Sequence, residues 1–305
     1  MTDKDFPSSY SMFSNIHGYL GLPLTRDLDA ADVFVVGLPY DLGTSGRSGT
    51  REGPLGIRTA SAQLRWEENR WPWTFDLFER LRVADYGDLE YPFGNHEALF
   101  ASVAEHYGKL LAAGKTTLTF GGDHFITLPL LRAHAKQHGK LAMIHFDAHT
   151  DTHDHPDSVY FHGSMFYHAP RESIIDPERS IQVGIRTMYT ASDHEFEVID
   201  AAQANEISVD EIVARIRARV GDSPCYLTFD IDCLDPAYAP GTGTPVAGGL
   251  TSDRALKIIR GLTGINLVGM DLVEVAPAYD HAQITSLAGA TLGLEMLYVL
   301  AATSG

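Results

Sequence analysis

Short apolar, mostly β-branched runs recur along the chain, and amphipathic stretches separate them. The runs are ADVFVVGLPY near residue 35, LRVADYG near 84, TTLTFGG from 116, LAMIHFD from 141, SIQVGIR from 180, FEVID from 196, CYLTFDID from 225 and NLVGMDLVEV from 266. They predict about eight strands. In the stretch HEALFASVAEHYGKLL, Leu99, Phe100, Val103, Tyr107, Leu110 and Leu111 fall at helical spacing, and Gly114 supplies a stop. Ser208 and Glu211 form a capping-box pair ahead of IVARIRARV. Strands alternating with helices predict right-handed crossovers and a mainly parallel sheet covered on both faces.

The C-terminal run ITSLAGATLGLEMLYVLAA approaches membrane-spanning length, but it carries Glu295, Ser286 and two threonines and reads as a buried helix. No Pro/Gly/Ser linker, charge block or internal repeat interrupts the alternation, so residues 1–305 read as one domain, the first ~25 forming an irregular arm.

Composition narrows the function. The 44% hydrophobic residues suffice for a large core, and the formal charge of -17, from 40 acidic and 23 basic residues, disfavours nucleic acid and anionic membranes as partners. No export signal opens the sequence, which predicts a cytoplasmic protein. Cys225 and Cys233 lie eight residues apart on one extended segment, about 26 Å when stretched, so no disulfide between them is expected.

The chemistry is concentrated where apolar runs end. If the chain stays extended past LAMIHF, Asp147, His149 and Asp151 share one face, as do Asp230 and Asp232 after CYLTF. GGDH ends a third run and delivers His124. In parallel sheets the ligand site lies beyond the carboxyl ends of the strands, so these groups belong to one edge. Four carboxylates held together raise one another's pKa unless cations neutralise them. Two divalent ions do so, and the oxygen-rich donor set favours a hard ion such as Mn²⁺. Any one of these residues alone reads as a turn or cap residue; His145 reads as a core or supporting histidine, and His153, Asp154, His155 and Asp157 as loop residues.

Together GGDH, HFDAHTD and TFDIDCLDP resemble the ureohydrolases, the family of arginases and agmatinases. The likeness extends through SGRSGTREGPLGIR at 45, HGSMF at 162, VGIRT at 183, PGTGTPVAGGL at 240 and GMDLVEVAP at 269. It implies an arginase-like three-layer α/β/α sandwich, a binuclear Mn²⁺ centre and hydrolysis of a guanidino group to urea. By motif position it implies metal ligands at His124, Asp147, His149, Asp151, Asp230 and Asp232, a proton-shuttling His162 and a guanidinium-receiving Glu274. It further implies a homo-oligomer, a trimer or hexamer. Asp271 reads as a structural hydrogen-bond partner, and Arg47 and Arg51 as loop-fixing or subunit-contact residues.

Guanidinium is a poor electrophile, so the expected nucleophile is a metal-bridging hydroxide, with Asp151 orienting it and moving its proton. The loop THDHPDSVYF offers Asp154 and Asp157 but no Lys or Arg, which favours a cationic tail and hence agmatine, giving urea and putrescine. Other guanidino compounds, such as 4-guanidinobutyrate or 3-guanidinopropionate, and a non-catalytic metal-dependent scaffold are the alternatives.

Overall fold

The computed structural model describes residues 18–66, 70–92, 94–154, 160–192 and 194–303. Eight strands form one sheet: β1 (Val33–Leu38), β2 (Val83–Asp88), β3 (Thr116–Gly121), β4 (Ala142–Phe146), β5 (Ile181–Ile185), β6 (Glu197–Asp200), β7 (Cys225–Asp230) and β8 (Leu267–Val273). Their order is β2-β1-β3-β8-β7-β4-β5-β6, and every pairing is parallel. Every residue of β1, β4, β5 and β7 is buried, as strands covered on both faces require.

The helices are α1 (Gly53–Ser61), α2 (Leu77–Arg80), α3 (His96–Ala112), α4 (Thr127–His138), α5 (Met165–Arg171), α6 (Ala201–Glu206), α7 (Val209–Val220), α8 (Ser252–Gly261) and α9 (Ile284–Thr303). One core cluster joins α1, α7, α8 and α9 to the sheet through residues such as Ile57, Ile216, Ile258 and Leu297. The other joins α3, α4 and α5 through Leu99, Tyr107, Leu131 and Met165. The result is the three-layer α/β/α sandwich expected.

Local signals hold where they are short-range. The Asn95 side chain accepts the Ala98 N–H at the start of α3, and Gly114 past its end has φ 70°. Ser208 accepts the Glu211 N–H at the start of α7. Helix α9 is the one helix among the described residues long and apolar enough to cross a bilayer, and 72% of its apolar window is buried in the fold. Its buried Glu295 accepts from Trp73 Nε1 at 2.7 Å and Arg260 Nη2 at 2.7 Å, which offsets the burial of its charge. Cys225 and Cys233 are buried and free. Of the N-terminal arm, residues 1–17 lie outside the described residues. Beyond them Tyr19 is fully buried and its hydroxyl donates to Ala290 O at 2.6 Å.

Four contiguous central strands, β3, β8, β7 and β4, end in GGDH, LVEV, DID and DAHTD respectively. The strand carrying Glu274 therefore lies between those carrying His124 and Asp230.

Candidate metal centre

Turns, not extended strands, gather the site. β4 stops at Phe146 and β7 at Asp230, so the alternation expected past LAMIHF and through DID does not operate. After β7 a 3-10 turn spans Ile231–Cys233, with the Asp232 N–H donating to Asp230 Oδ1 at 2.8 Å. After β4 the chain curls, and Asp151 takes a left-handed φ of 51°. In GGDH the glycine requirement is close approach: a Cβ on Gly122 would stand 1.6 Å from Tyr40 O. Asp123 then caps the 3-10 turn His124–Ile126 by accepting the Phe125 N–H, which sets the His124 ring.

Hydrogen bonding fixes the tautomer of His124. Thr228 Oγ1 spends its proton on Asp271 Oδ1 at 2.6 Å, so it accepts from His124 Nε2 at 2.9 Å. Nδ1 is left with a lone pair that faces Asp147 Oδ2 at 3.0 Å, Asp151 Oδ2 at 3.0 Å and Asp230 Oδ2 at 3.3 Å. It is buried and has no hydrogen-bond partner. Ligand atoms bound at about 2.1 Å to one octahedral cation stand about 3 Å apart, so this orphaned nitrogen and its carboxylate oxygens fit a divalent ion.

A second group adjoins it. His149 Nδ1 lies 3.2 Å from Asp147 Oδ1 and 3.2 Å from Asp232 Oδ2. Asp147 thus presents Oδ2 to one group and Oδ1 to the other. Backbone donors orient the carboxylates: the His149 N–H donates to Asp147 Oδ1 at 2.6 Å and the Ala148 N–H to Asp232 Oδ1 at 3.1 Å.

The electrostatics demand positive charge. Burial, with Asp232 and Asp147 adjacent, pushes Asp230 well above the usual carboxylate range, and burial with Asp147 pushes Asp151 to about 6. Burial also raises Asp232. Against burial, which disfavours an imidazolium, Asp147 and Asp232 raise His149 to about 12, and Asp147, Asp151 and Asp230 raise His124. Asp147 alone is lowered, because three imidazoles outweigh its burial. The raised pKa of His124 and its bare Nδ1 point in opposite directions on protonation. The hydrogen bonding is the better guide, because none of the three oxygens accepts a bond from Nδ1. A cation satisfies both.

Beside this centre Glu274 adopts a left-handed φ of 66°, a conformation costing on the order of 1 kcal/mol for a non-glycine residue. Its Oε1 accepts from the His124 N–H at 2.8 Å and from His162 Nδ1 at 2.8 Å, while Oε2 is buried without a partner. Burial disfavours the His162 charge, but Glu274 outweighs it and lifts the pKa to about 9. Ser45 serves both protonation states. Its N–H at 3.0 Å and its hydroxyl at 2.6 Å can donate to a bare Nε2, and its oxygen can accept from a protonated one.

All eight expected site residues are thus neighbours. Outside the cluster, Arg51 Nε bonds Asp41 Oδ1 at 2.6 Å and Arg47 sits 5.1 Å from the Tyr279 ring, so both fix loops. His153 and Asp154 are exposed, while His155 and Asp157 lie outside the described residues. Asp271 accepts the Thr127, Tyr226 and Thr228 hydroxyls, the structural role expected of it. Sequence reasoning missed Thr228, Ser45 and Arg186. Arg186 Nη2 bonds Asp232 O at 2.6 Å and Val246 O at 2.7 Å, tying down the turn that carries Asp232. Only its place in VGIRT marked it.

The sequence profile of the Arginase family matches residues 31–298. An agmatinase of Serratia proteamaculans is 59% identical over 305 residues, covering 99% of each chain. A crystal structure of a hypothetical agmatinase from Burkholderia thailandensis superposes with TM-score 0.91 at 48% identity, covering 97% of this chain and 96% of that one. Proclavaminate amidino hydrolase from Streptomyces clavuligerus superposes with TM-score 0.90 at 38% identity, covering 96% and 99%. With the fold, the clustered donors and these likenesses in agreement, the chain belongs to the arginase family.

Proposed function

We propose that this chain is a binuclear manganese hydrolase that cleaves the guanidino group of agmatine to give urea and putrescine. The observation that carries the metal assignment is the buried, partnerless Nδ1 of His124 facing three carboxylate oxygens. His124, Asp147, Asp151 and Asp230 would hold one ion, and Asp147, His149 and Asp232 the other, with Asp147 shared. When bound, such a pair supplies Lewis acidity that makes water a usable nucleophile at neutral pH.

The residues of the chain supply the rest. Glu274 Oε2, which has no partner, receives a guanidinium N–H, and its left-handed backbone aims it away from the strand. Asp151 orients the attacking water and moves its proton to the departing amine nitrogen. His162 carries the second proton between product and solvent, and its contact with Ser45, an exposed residue, provides the outlet. The acidic loop at Asp154 suits a cationic tail.

Agmatine as substrate is supported by the 59% identity to an agmatinase over 99% of the chain. A second reading, another guanidino or amidino compound, is favoured by the likeness to an enzyme named for proclavaminate. Urea release from agmatine, arginine, 4-guanidinobutyrate and 3-guanidinopropionate on Mn²⁺-loaded protein separates them. Agmatine should exceed the others at least ~10-fold in kcat/KM, a margin of about 1.4 kcal/mol in transition-state binding. A guanidino acid in first place would select the second reading, and no urea from any of the four would leave a binding scaffold.

A further inference from the structure

Asp147 faces both ligand groups, so the orientation of its carboxylate matters to each. Its Oδ2 lies 2.8 Å from His145 Nε2. A neutral imidazole donates from one nitrogen only, and what holds the other nitrogen decides which. His145 Nδ1 is 2.9 Å from Gln182 Nε2, and that same amide nitrogen donates to Thr150 O at 2.8 Å.

The Thr150 carbonyl can only accept, so it fixes which end of the Gln182 amide is nitrogen. Gln182 Oε1, at the other end, lies 2.7 Å from His194 Nε2. It follows that Gln182 donates to His145 Nδ1, that the His145 proton sits on Nε2, and that this proton bonds Asp147. Gln182, His145 and Asp147 are all fully buried, and Gln182 on β5 is the direct register partner of His145 on β4. His145 stands close enough to the first group to be a ligand, but both its nitrogens are already spent.

We propose that Gln182 is a positioning residue of the metal centre. By fixing the tautomer of His145 it holds Asp147 with one oxygen toward each of the two ligand groups that would hold the ions. The inference rests on the metal-centre reading above. Of the rings packed against His145, Phe166 at 4.5 Å is apolar, and His124 at 5.1 Å directs its nitrogens to Thr228 and to the carboxylates.

The test is Mn²⁺ affinity by chelator competition on folded protein, using Gln182→Glu and Gln182→Met. A carboxylate at 182 is an acceptor facing Thr150 O and calls for a proton on His145 Nδ1, so His145 either loses the Nε2 proton that bonds Asp147 or carries a positive charge beside the metal ligands. Methionine keeps the volume and removes every hydrogen bond. Both variants should bind Mn²⁺ about 10–100-fold more weakly, the usual range for residues that orient ligands, and at both ions. KM for agmatine at saturating Mn²⁺ should stay unchanged, because Gln182 does not reach Glu274 or His162. Unaltered affinity in both variants overturns the proposal. So does loss of folding in both, which would make Gln182 a fold residue only. A parent chain holding fewer than two ions overturns the metal-centre reading itself, and the parent measurement reveals this independently of either variant.

Discussion

Glu274 Oε1 stands 2.8 Å from His162 Nδ1, on the same oxygen that accepts the His124 backbone N–H. One carboxylate is therefore divided: one oxygen is tied to the His124 backbone and to His162, and the other is buried and unpartnered, as the role proposed for it toward a guanidinium requires. Burying that second oxygen without a partner is costly, and the proposed guanidinium would restore the balance.

Glu274→Gln keeps the shape and removes the charge. Bound Mn²⁺ should be retained while kcat/KM for agmatine falls about 100–1,000-fold, the usual cost of losing one preorganised charge-stabilising group. Elemental analysis beside the urea assay checks this. Metal loss in this variant would contradict the role given to Glu274.

Ser45→Ala removes the hydroxyl at His162 Nε2 but leaves the backbone N–H contact. Turnover should fall about 10-fold and become dependent on buffer concentration, as expected when a proton-transfer step loses its relay. A rate that is insensitive to buffer in Ser45→Ala would count against the relay.

The pH dependence of the metal-free protein has a defined sign. His162 has a folded pKa of about 9, above its ordinary value of 6.5. Its contribution to stability is complete below about pH 6.5 and is lost as pH rises through 9. Burial, with Glu274 nearby, raises Asp123 to about 8, so it loses stabilisation in the same direction. Metal-free protein should therefore melt several degrees lower at pH 9 than at pH 6.5, and His162→Gln should flatten part of that slope. Calorimetry across that range provides the check, and a rising melting temperature would reverse the assignment.

Gly122→Ala should fail to fold, or lose more than about 3 kcal/mol, because its Cβ would overlap Tyr40 O at 1.6 Å. Backbone is the obstacle, so no rotamer change relieves it. Yield and melting temperature against the parent measure the effect, and a parent-like melting temperature would refute the close-approach account.

Much of this was legible in the chain because it depends on neighbouring residues. Eight apolar runs became eight strands, Gly114 ends helix α3 and Ser208 starts α7, and the six donors converge as DAHTD, DID and GGDH suggested. The means of convergence was not legible. Strand alternation was the wrong geometry for Asp151 and Asp232, because a left-handed residue and a 3-10 turn replace the extended chain there. Nor were Thr228, Gln182 and Arg186 visible as parts of the site. Each acts from a different strand or loop, 104, 37 and 46 residues from the group it holds, and a lone polar residue in an apolar strand carries no sign of its partner.

Asp232→Ala should weaken the ion held with His149 and lower the melting temperature of the Mn²⁺-loaded protein toward the metal-free value. Asp147→Ala should lose both ions, because its oxygens face both groups. At 100-fold excess over Kd, bound metal adds about 2.7 kcal/mol. Equal metal content in the two variants would show that Asp147 is not shared.

The most direct measurement is the manganese content of folded, fully loaded protein after removal of free metal. The account predicts two ions per chain, both released by chelation, with urea production from agmatine lost on release and restored on reloading. One ion per chain, or none, with the fold intact would contradict it.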